Sequence, residues 1–230
     1  MGKILNFILI LLTISSFGQS REKILQKHFE AHNQEYWDQI QTAQFTGVWL
    51  AKDGDANRYY IKYSAKKEGK RAFQWESKKK ETCKISFDGK IGWKQIKQKP
   101  KLLDDKEVIL PQNSFFFGSP VKENPNLKYE GVISWDDIGC HLFIEQRTND
   151  KIEYLIDKND YLLRRMAIIP DDGGLDNQVI VKFEHYRNYT MIKIPGSIHI
   201  KSNLYDDGIT INEITLGNGI PDGYFKLVEK

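Results

Sequence analysis

The chain has 230 residues, a nearly balanced formal charge of +3, and a high aromatic content of 12%. This length is sufficient for one substantial hydrophobic core. Basic residues are spread along the chain, with short runs at 78–80 and 97–101, whereas a nucleic-acid-binding protein usually concentrates positive charge on one face. The composition therefore argues against a nucleic-acid partner. The short basic runs are more typical of solvent-exposed turns between strands.

The first eighteen residues have the order of a secretory signal peptide. Lys3 supplies a positive start, an apolar run follows from Ile4 to Ile14, and small residues precede a cleavage point after Gly18 or Gln19. The run is shorter than the roughly 20 residues of a permanent membrane span, and no Cys follows it for acylation. A buried N-terminal helix or a retained anchor is the alternative. We expect residues 1–18 to be removed and residues 19–230 to form one exported, soluble domain.

One amphipathic helix is predicted from Arg21 to Ala43. Its apolar residues recur with a period close to 3.6, and charged residues lie between them. The helix should therefore pack one face against an apolar surface and expose the other, which carries Asn33 and Gln34. The residues predicted to face inward are Ile24, Leu25, Phe29, Tyr36, Trp37, Ile40 and Ala43.

From Phe45 onward the apolar residues alternate with a period of two, which predicts β-strands. Asp88-Gly89 stands between two such runs and is typical of a hairpin turn. About ten or eleven strands with short links predict a large antiparallel sheet, and a sheet of that size must curl or close. The residues expected in one buried aromatic cluster on its apolar face are Tyr63, Phe73, Trp75, Phe87 and Trp93.

The segment from Pro100 to Pro125 interrupts this pattern. It lacks a period of two and contains the consecutive aromatics Phe115, Phe116 and Phe117. Three consecutive side chains cannot all face one way in a regular element, so at least one should reach over the sheet or lie at the mouth of a site. We therefore expect a short helical lid over the apolar face, with aromatics that complete a dry core as the competing explanation.

The two cysteines, Cys83 and Cys140, suit an oxidising compartment, where a pair can persist as a disulfide. Each stands at a position that alternates in phase with the apolar residues of its predicted strand. Both are therefore predicted to face the apolar side. A disulfide and two buried free thiols remain alternatives at this point.

No catalytic or cofactor motif is present in the sequence. His28 and His32 have the i, i+4 spacing of a metal-binding pair, but position 29 is Phe rather than Glu and a third ligand is missing. No GxSxG, P-loop or complete GxGxxG pattern occurs. We therefore predict a protein without enzymatic activity, metal or cofactor.

The order of features resembles the LolA/LolB-like superfamily, the outer-membrane lipoprotein-sorting proteins of the Gram-negative periplasm. The most specific landmarks are the DG-x-x-GW pattern at 88–93 and the closing IP-x-x-x-F pattern at 220–225. The resemblance covers almost the whole mature chain. Its other landmarks are the stretches 29–32, 40–42, 45–47, 129–131, 156–164 and 193–195.

This resemblance implies an open, strongly curved antiparallel half-barrel whose apolar face is covered by helices. It also implies a periplasmic, monomeric carrier that binds lipid, the acyl chains of lipoproteins or another apolar ligand. The alternative is a non-enzymatic envelope interaction or regulatory module that uses the same half-barrel. The predicted cavity residues are Phe29, Trp37, Tyr63, Phe73, Trp75, Phe87, Trp93, Phe115, Phe116 and Phe117.

Overall fold

The computed structural model describes residues 21–51, 57–67, 69–76, 82–96, 99–103, 118–122, 124, 126–171, 178–203 and 206–226. The predicted signal peptide and Phe115, Phe116 and Phe117 lie outside the described residues. Helix α1 covers residues 21–32, helix α2 covers Gln34–Gln39, and a short 3-10 turn covers Asp222–Tyr224.

The described strands run in chain order as follows. They are β1 (Thr42–Ala51), β2 (Asn57–Lys66), β3 (Arg71–Glu76), β4 (Thr82–Phe87), β5 (Gly92–Ile96), β6 (Lys99–Leu102), β7 (Lys128–Trp135), β8 (Ile138–Gln146), β9 (Asp150–Asp157), β10 (Leu163–Pro170), β11 (Val179–Glu184), β12 (Arg187–Tyr189), β13 (Ile192–Ile194), β14 (Ser197–Lys201) and β15 (Asp206–Leu216).

Thirteen of these strands form one curved sheet in the order β6-β5-β4-β3-β2-β1-β15-β14-β11-β10-β9-β8-β7, and β12 pairs with β13. The sheet is antiparallel and is not closed into a barrel, which confirms the predicted half-barrel with helical parts. The described strands outnumber the ten or eleven predicted. Strands β6, β12 and β13 have only three or four residues, too few to show an alternating pattern.

The core lies on one face of this sheet, which we call the inner face, and the opposite face is the outer face. Alternate side chains of a strand point to opposite faces, and the inner set is apolar along nearly every strand. Most of its members are 7% exposed or less, among them Phe45, Tyr63, Phe143, Tyr154, Phe183, Ile198 and Ile211. Both halves of the sheet thus contribute to one continuous core.

The predicted single helix from Arg21 to Ala43 is wrong in its extent. Asn33 adopts a left-handed conformation with φ of 50° and separates α1 from α2, and Thr42 and Ala43 already belong to β1. Asn tolerates this conformation better than most residues because its side chain is short and polar. The apolar residues after the break still face the core as predicted, since Trp37 is 2% exposed and Ile40 is 6% exposed.

The sheet contains a bulge where β1 meets β15. The register shifts between Thr46 and Gly47, and a Cβ atom on Gly47 would lie 2.1 Å from the carbonyl oxygen of Thr210. Only glycine permits this backbone approach. Bulges increase the local twist of a sheet, so this position helps the central strands to curl around the core.

Strands β6 and β7 are consecutive along the chain and form the two opposite edges of the sheet. The chain between them therefore leads from one edge to the other. Its described part at residues 118–122, which we call the crossing segment, lies on the inner side. Val121 is 2% exposed and belongs to the core cluster, so this part of the connection is packed against the core.

Candidate ligand-binding site

Four aromatic side chains form a continuous surface on the inner face of β1, β2 and β3. The ring of Trp49 lies 5.2 Å from that of Tyr59, 5.7 Å from that of Phe73 and 5.7 Å from that of Trp75, between centroids. These separations are typical of favourable aromatic pairs. We call these four residues the aromatic wall. Phe73 is buried, whereas the other three are only half-buried.

A second group of contacts fastens α1 to the connection between β9 and β10 and to the crossing segment. The carbonyl oxygen of Tyr161 can only accept, so His28 donates through Nδ1 to it over 2.7 Å. His28 Nε2 then accepts the hydroxyl hydrogen of Ser119 over 2.6 Å. We call these three residues the His28 clamp. Burial lowers the pKa of His28 to about 4, despite the opposing effect of the bond to Tyr161, so the imidazole is neutral near neutral pH.

The crossing segment has another contact with the helices, through Gln34. The backbone N–H of Ser119 donates to Gln34 Oε1 over 2.7 Å, and Gln34 is 6% exposed. The prediction that Gln34 lies on the exposed helix face is wrong, because the break at Asn33 changes which side of α2 faces the core. Together with the His28 clamp, this contact ties three separate parts of the chain together.

A small cavity, which we call the His32 chamber, lies beneath the crossing segment. Its volume is about 40 Å³, which is enough for one or a few water molecules or for a chemical group of similar size. Its walls are mainly apolar. The lining residues are His32, Trp37, Phe45, Gly118, Pro120, Leu163, Phe183, Tyr186, Lys193, Ile194, Pro195, Ile198 and Ile211.

The polar side chains that line this chamber include Tyr186, His32 and Lys193. Tyr186 donates its hydroxyl to the carbonyl oxygen of Leu163 over 2.6 Å, and burial raises the pKa of Tyr186. The rings of His32 and Tyr186 meet edge to face, 5.7 Å apart. Burial, assisted by the neighbouring His28, holds the pKa of His32 well below its ordinary value. The imidazole of His32 is thus neutral at neutral pH, in a mostly apolar lining whose one basic residue besides histidine is Lys193.

The structure brings together most of the described residues that the sequence assigns to the cavity. Tyr63, Phe73, Trp75 and Phe87 lie on the inner face of three consecutive strands, β2 to β4. Trp37 is buried against the same core from α2, and Phe29 packs on it from α1 while remaining half-buried. Whether these residues contact a ligand stays a prediction.

Trp93 is the exception, and its predicted place in this cluster is wrong. It pairs with Ser86, a neighbour of the inner-face residue Phe87, and therefore lies on the outer face. There its indole N–H donates to the carbonyl oxygen of Phe225 over 3.0 Å. Trp93 is 3% exposed, so it is buried as predicted but under the C-terminal segment of the chain.

The two cysteines are free and buried. Cys83 lies opposite Trp75 on the inner face, whereas Cys140 lies opposite Asp157 on the outer face. Burial and the nearby Asp157 carboxylate raise the pKa of Cys140 to about 11. The alternative of a disulfide is therefore wrong, and so is the prediction that both thiols face the same side.

Sequence reasoning did not assign several residues of this site. Trp49 and Tyr59 lie on the same face of their strands as Phe45 and Tyr63, and that alternation was available as a signal.

His28 and His32 share the inward helix face with Ile24 and were considered only as metal ligands. No three His, Cys, Asp or Glu side chains cluster as metal ligands within the described ranges. No local signal indicates the contact between His28 and Ser119, which are 91 positions apart.

The geometry defines a class of open, curved antiparallel half-barrels with helices on the inner side. More particularly, the chain has a LolA-like fold. It is similar to an outer membrane lipoprotein-sorting protein domain from Vibrio parahaemolyticus, with a TM-score of 0.65 and 12% identity over 88% of this chain and 94% of that one. It is also similar to a LolA superfamily protein from Nitrosomonas europaea, with a TM-score of 0.62 and 14% identity over 90% of this chain and 97% of that one.

These similarities concern the fold, since the identities are low. No family model matches the chain, and no curated protein matches it in sequence. Among the helices that the structure describes, none is both long and apolar enough to span a membrane.

Proposed function

We propose that this protein is a non-enzymatic carrier of the periplasm that binds an apolar ligand, a lipid or the acyl chain of a lipoprotein, on its inner face. In this proposal residues 1–18 are a signal peptide and residues 19–230 are one domain. The single observation that carries the proposal is the aromatic wall, where Trp49, Tyr59 and Trp75 are only half-buried on the face that forms the core.

Large aromatic side chains on the core face of a sheet are usually buried, because each gains free energy from the apolar area removed from water. The aromatic wall leaves part of that area exposed and holds its rings in mutual contact at 5.2 to 5.8 Å. A concave, mostly apolar surface with few polar groups is typical of a site for an apolar ligand. The LolA-like fold supports the same class of function.

The proposed contact residues follow from this surface. The ligand lies along the aromatic wall and reaches Tyr63 and Phe87, with Phe29 and Trp37 facing it from the helices. Phe115, Phe116 and Phe117 remain proposed contacts from the connection between β6 and β7. Trp93 is not among them because it lies on the outer face.

Binding of an environment-sensitive fatty-acid probe to the mature protein tests this proposal. We expect micromolar affinity, and we expect Tyr59→Ala to weaken it by about tenfold, since a contact with one aromatic ring is worth roughly 1.4 kcal/mol. Tyr60→Ala is the matched control, because Tyr60 is the next residue of the same strand and is 70% exposed. The proposal fails if the probe does not bind, or if the two variants weaken binding equally.

A second candidate function is an interaction module of the cell envelope, and one observation favours it. The edge strand β7 exposes Val132 at 55% and Ile133 at 37%, and an unpaired edge can accept an extended segment of another protein. A photoreactive residue at position 132 should then crosslink to one envelope protein in the native host, whereas one at Tyr60 should not. The absence of a discrete adduct would contradict this alternative.

A further inference from the structure

The half of the inner face that carries the aromatic wall has charges of one sign. Among the side chains that the structure describes on the inner face of β1 to β6, the charged ones are Arg71, Lys94 and Lys101, and all three are basic. The outer face of the same strands carries both signs, among them Lys62 and Glu76. The described part of this inner surface therefore has a positive charge.

Two of these cations stand directly opposite each other. Lys94 of β5 pairs with Lys101 of β6, so their side chains project from the same face of adjacent strands, an arrangement that is destabilising for like charges. Lysine on an edge strand commonly discourages pairing with other chains, which accounts for the exposed Lys101 on β6. It does not account for Lys94, which is half-buried on the next strand inward. An anion between the two ammonium groups replaces their repulsion with attraction.

Accessible apolar side chains join this pair to the aromatic wall. Lys94 pairs with Ile85 of β4, and Ile85 pairs with Phe73 of the wall. Because neighbouring strands are about 4.8 Å apart, the backbone of Lys94 lies roughly 10 Å from that of Phe73. Phe73 itself is buried, but Ile85 and the wall residue Trp75 are half-buried on the same face. One apolar chain can therefore extend from Trp75 over Ile85 to Lys94 without entering the packed core.

We propose that Lys94 and Lys101 form an anion subsite that binds the negatively charged end group of the apolar ligand. The end group is a carboxylate or a phosphate whose oxygens accept hydrogen bonds from both ammonium groups, and the apolar chain lies over Ile85 and along the aromatic wall. Charge-assisted bonds of this kind are stronger than those between neutral groups. This inference rests on the proposed function and specifies the ligand as an anionic amphiphile.

Displacement of an uncharged environment-sensitive dye, Nile red, from the mature protein tests the subsite. The competitors are tetradecanoate, tetradecyl phosphate and the uncharged methyl tetradecanoate, each used at neutral pH below the concentration at which it aggregates. At least one anion should displace the dye at about three- to tenfold lower concentration than the ester, the effect of one or two partly exposed ion pairs. This preference should shrink at high salt. An ester as potent as both anions would overturn the subsite.

Inorganic phosphate distinguishes a free anion from the end group of a longer ligand. Sodium phosphate that replaces sodium chloride at equal ionic strength should leave the preference for the anionic competitors unchanged, because an ion without a chain gains nothing from the aromatic wall. Loss of the preference in phosphate would show that the two lysines bind a free ion, which contradicts the proposal.

Matched lysine substitutions locate the subsite. Lys94→Gln and Lys101→Gln each remove one charge, and each should lower the preference for the anions about two- to threefold. Lys62→Gln is the control, because it removes the same charge from the outer face of β2. The potency of the methyl ester should stay the same in all three variants, which shows that the aromatic wall is intact. An unchanged preference in Lys94→Gln, or an equal loss in Lys62→Gln, would contradict the inference.

Tyr59→Ala separates this inference from the proposed function. It should weaken the anions and the ester alike and leave their ratio unchanged, because Tyr59 belongs to the aromatic wall. If neither the dye nor the fatty-acid probe binds the wild-type protein, the proposed function fails and the subsite fails with it. If both bind and the anions are no more potent than the ester, only the subsite fails.

Discussion

The inner face of the sheet is almost fully buried in one part and half-exposed in another. Beneath α2 and the crossing segment, Phe183 is 2% exposed, and Phe143 on β8 is fully buried. Along β1 to β3, Trp49, Tyr59 and Trp75 remain half-buried although they belong to the same face. Both parts have alternating apolar residues. The alternating pattern of the strands alone therefore does not determine how completely each part is buried.

The attachment of those covering elements is polar. The His28 clamp and Gln34 hold the crossing segment to the helices by hydrogen bonds of 2.6 and 2.7 Å. Buried hydrogen bonds contribute little net free energy individually, but leaving one partner unsatisfied is costly. The clamp therefore fixes the position of the cover, whereas the apolar contacts beneath it supply most of the stability.

The two parts should differ most in how far the free energy of unfolding falls when a large side chain is removed. Phe183→Ala should lower the free energy of unfolding by about 3–5 kcal/mol, the usual cost of emptying a buried aromatic site. Denaturant melts measure this change. Phe87→Ala is the control, because Phe87 is half-buried on β4 and its loss should cost about 1–2 kcal/mol. Equal losses would mean that the two parts are packed alike.

The clamp predicts a dependence of stability on pH. The folded protein holds the pKa of His28 at about 4, against 6.5 for an unperturbed imidazole, so the unfolded chain binds more protons between these values. The contribution of His28 to stability should therefore decrease by about 3 kcal/mol as the pH falls from 6.5 to 4, and it should stay constant above pH 7.

Denaturant melts at a series of pH values test this decrease. His28→Gln should make the dependence shallower, whereas His199→Gln, on the exposed surface of β14, should leave it unchanged. A wild-type slope that persists fully in His28→Gln would show that other groups, not the clamp, respond to acid.

The half-barrel itself could be predicted because strand alternation and the order of landmarks extend over almost the whole chain after the first helix. The position of Trp93 was predictable from strand pairing but not from hydrophobicity. Across the Asp88-Gly89 turn, an even number of loop residues places Trp93 opposite Lys84 or Ser86, on the outer face. Its burial there depends on Phe225, more than 130 positions later, which no local pattern indicates.

The faces of β8 were not predictable in the same way, because its alternating apolar residues lie on the outer face, whereas Phe143 on the inner face is flanked by His141 and Glu145. Leu142 and Cys140 alternate with Phe143, yet Phe143 is the residue that joins the core cluster. The His28 clamp was equally inaccessible to sequence reasoning, since a buried His and Ser carry no periodic signal. Contacts of this kind depend on how distant segments meet after the sheet has curled.

The smallest expected effect is at the aromatic wall. Trp75→Ala should lower the free energy of unfolding by only about 1–2 kcal/mol, because the indole is half-buried and part of its apolar area is already exposed to water. Its ring contact with Trp49, at 5.7 Å and 89°, accounts for much of that loss. Denaturant melts beside those of Phe183→Ala give the comparison directly. A loss as large as that of Phe183→Ala would show that the aromatic wall is part of a filled core, and the half-buried surface assigned to the ligand would then not exist in solution.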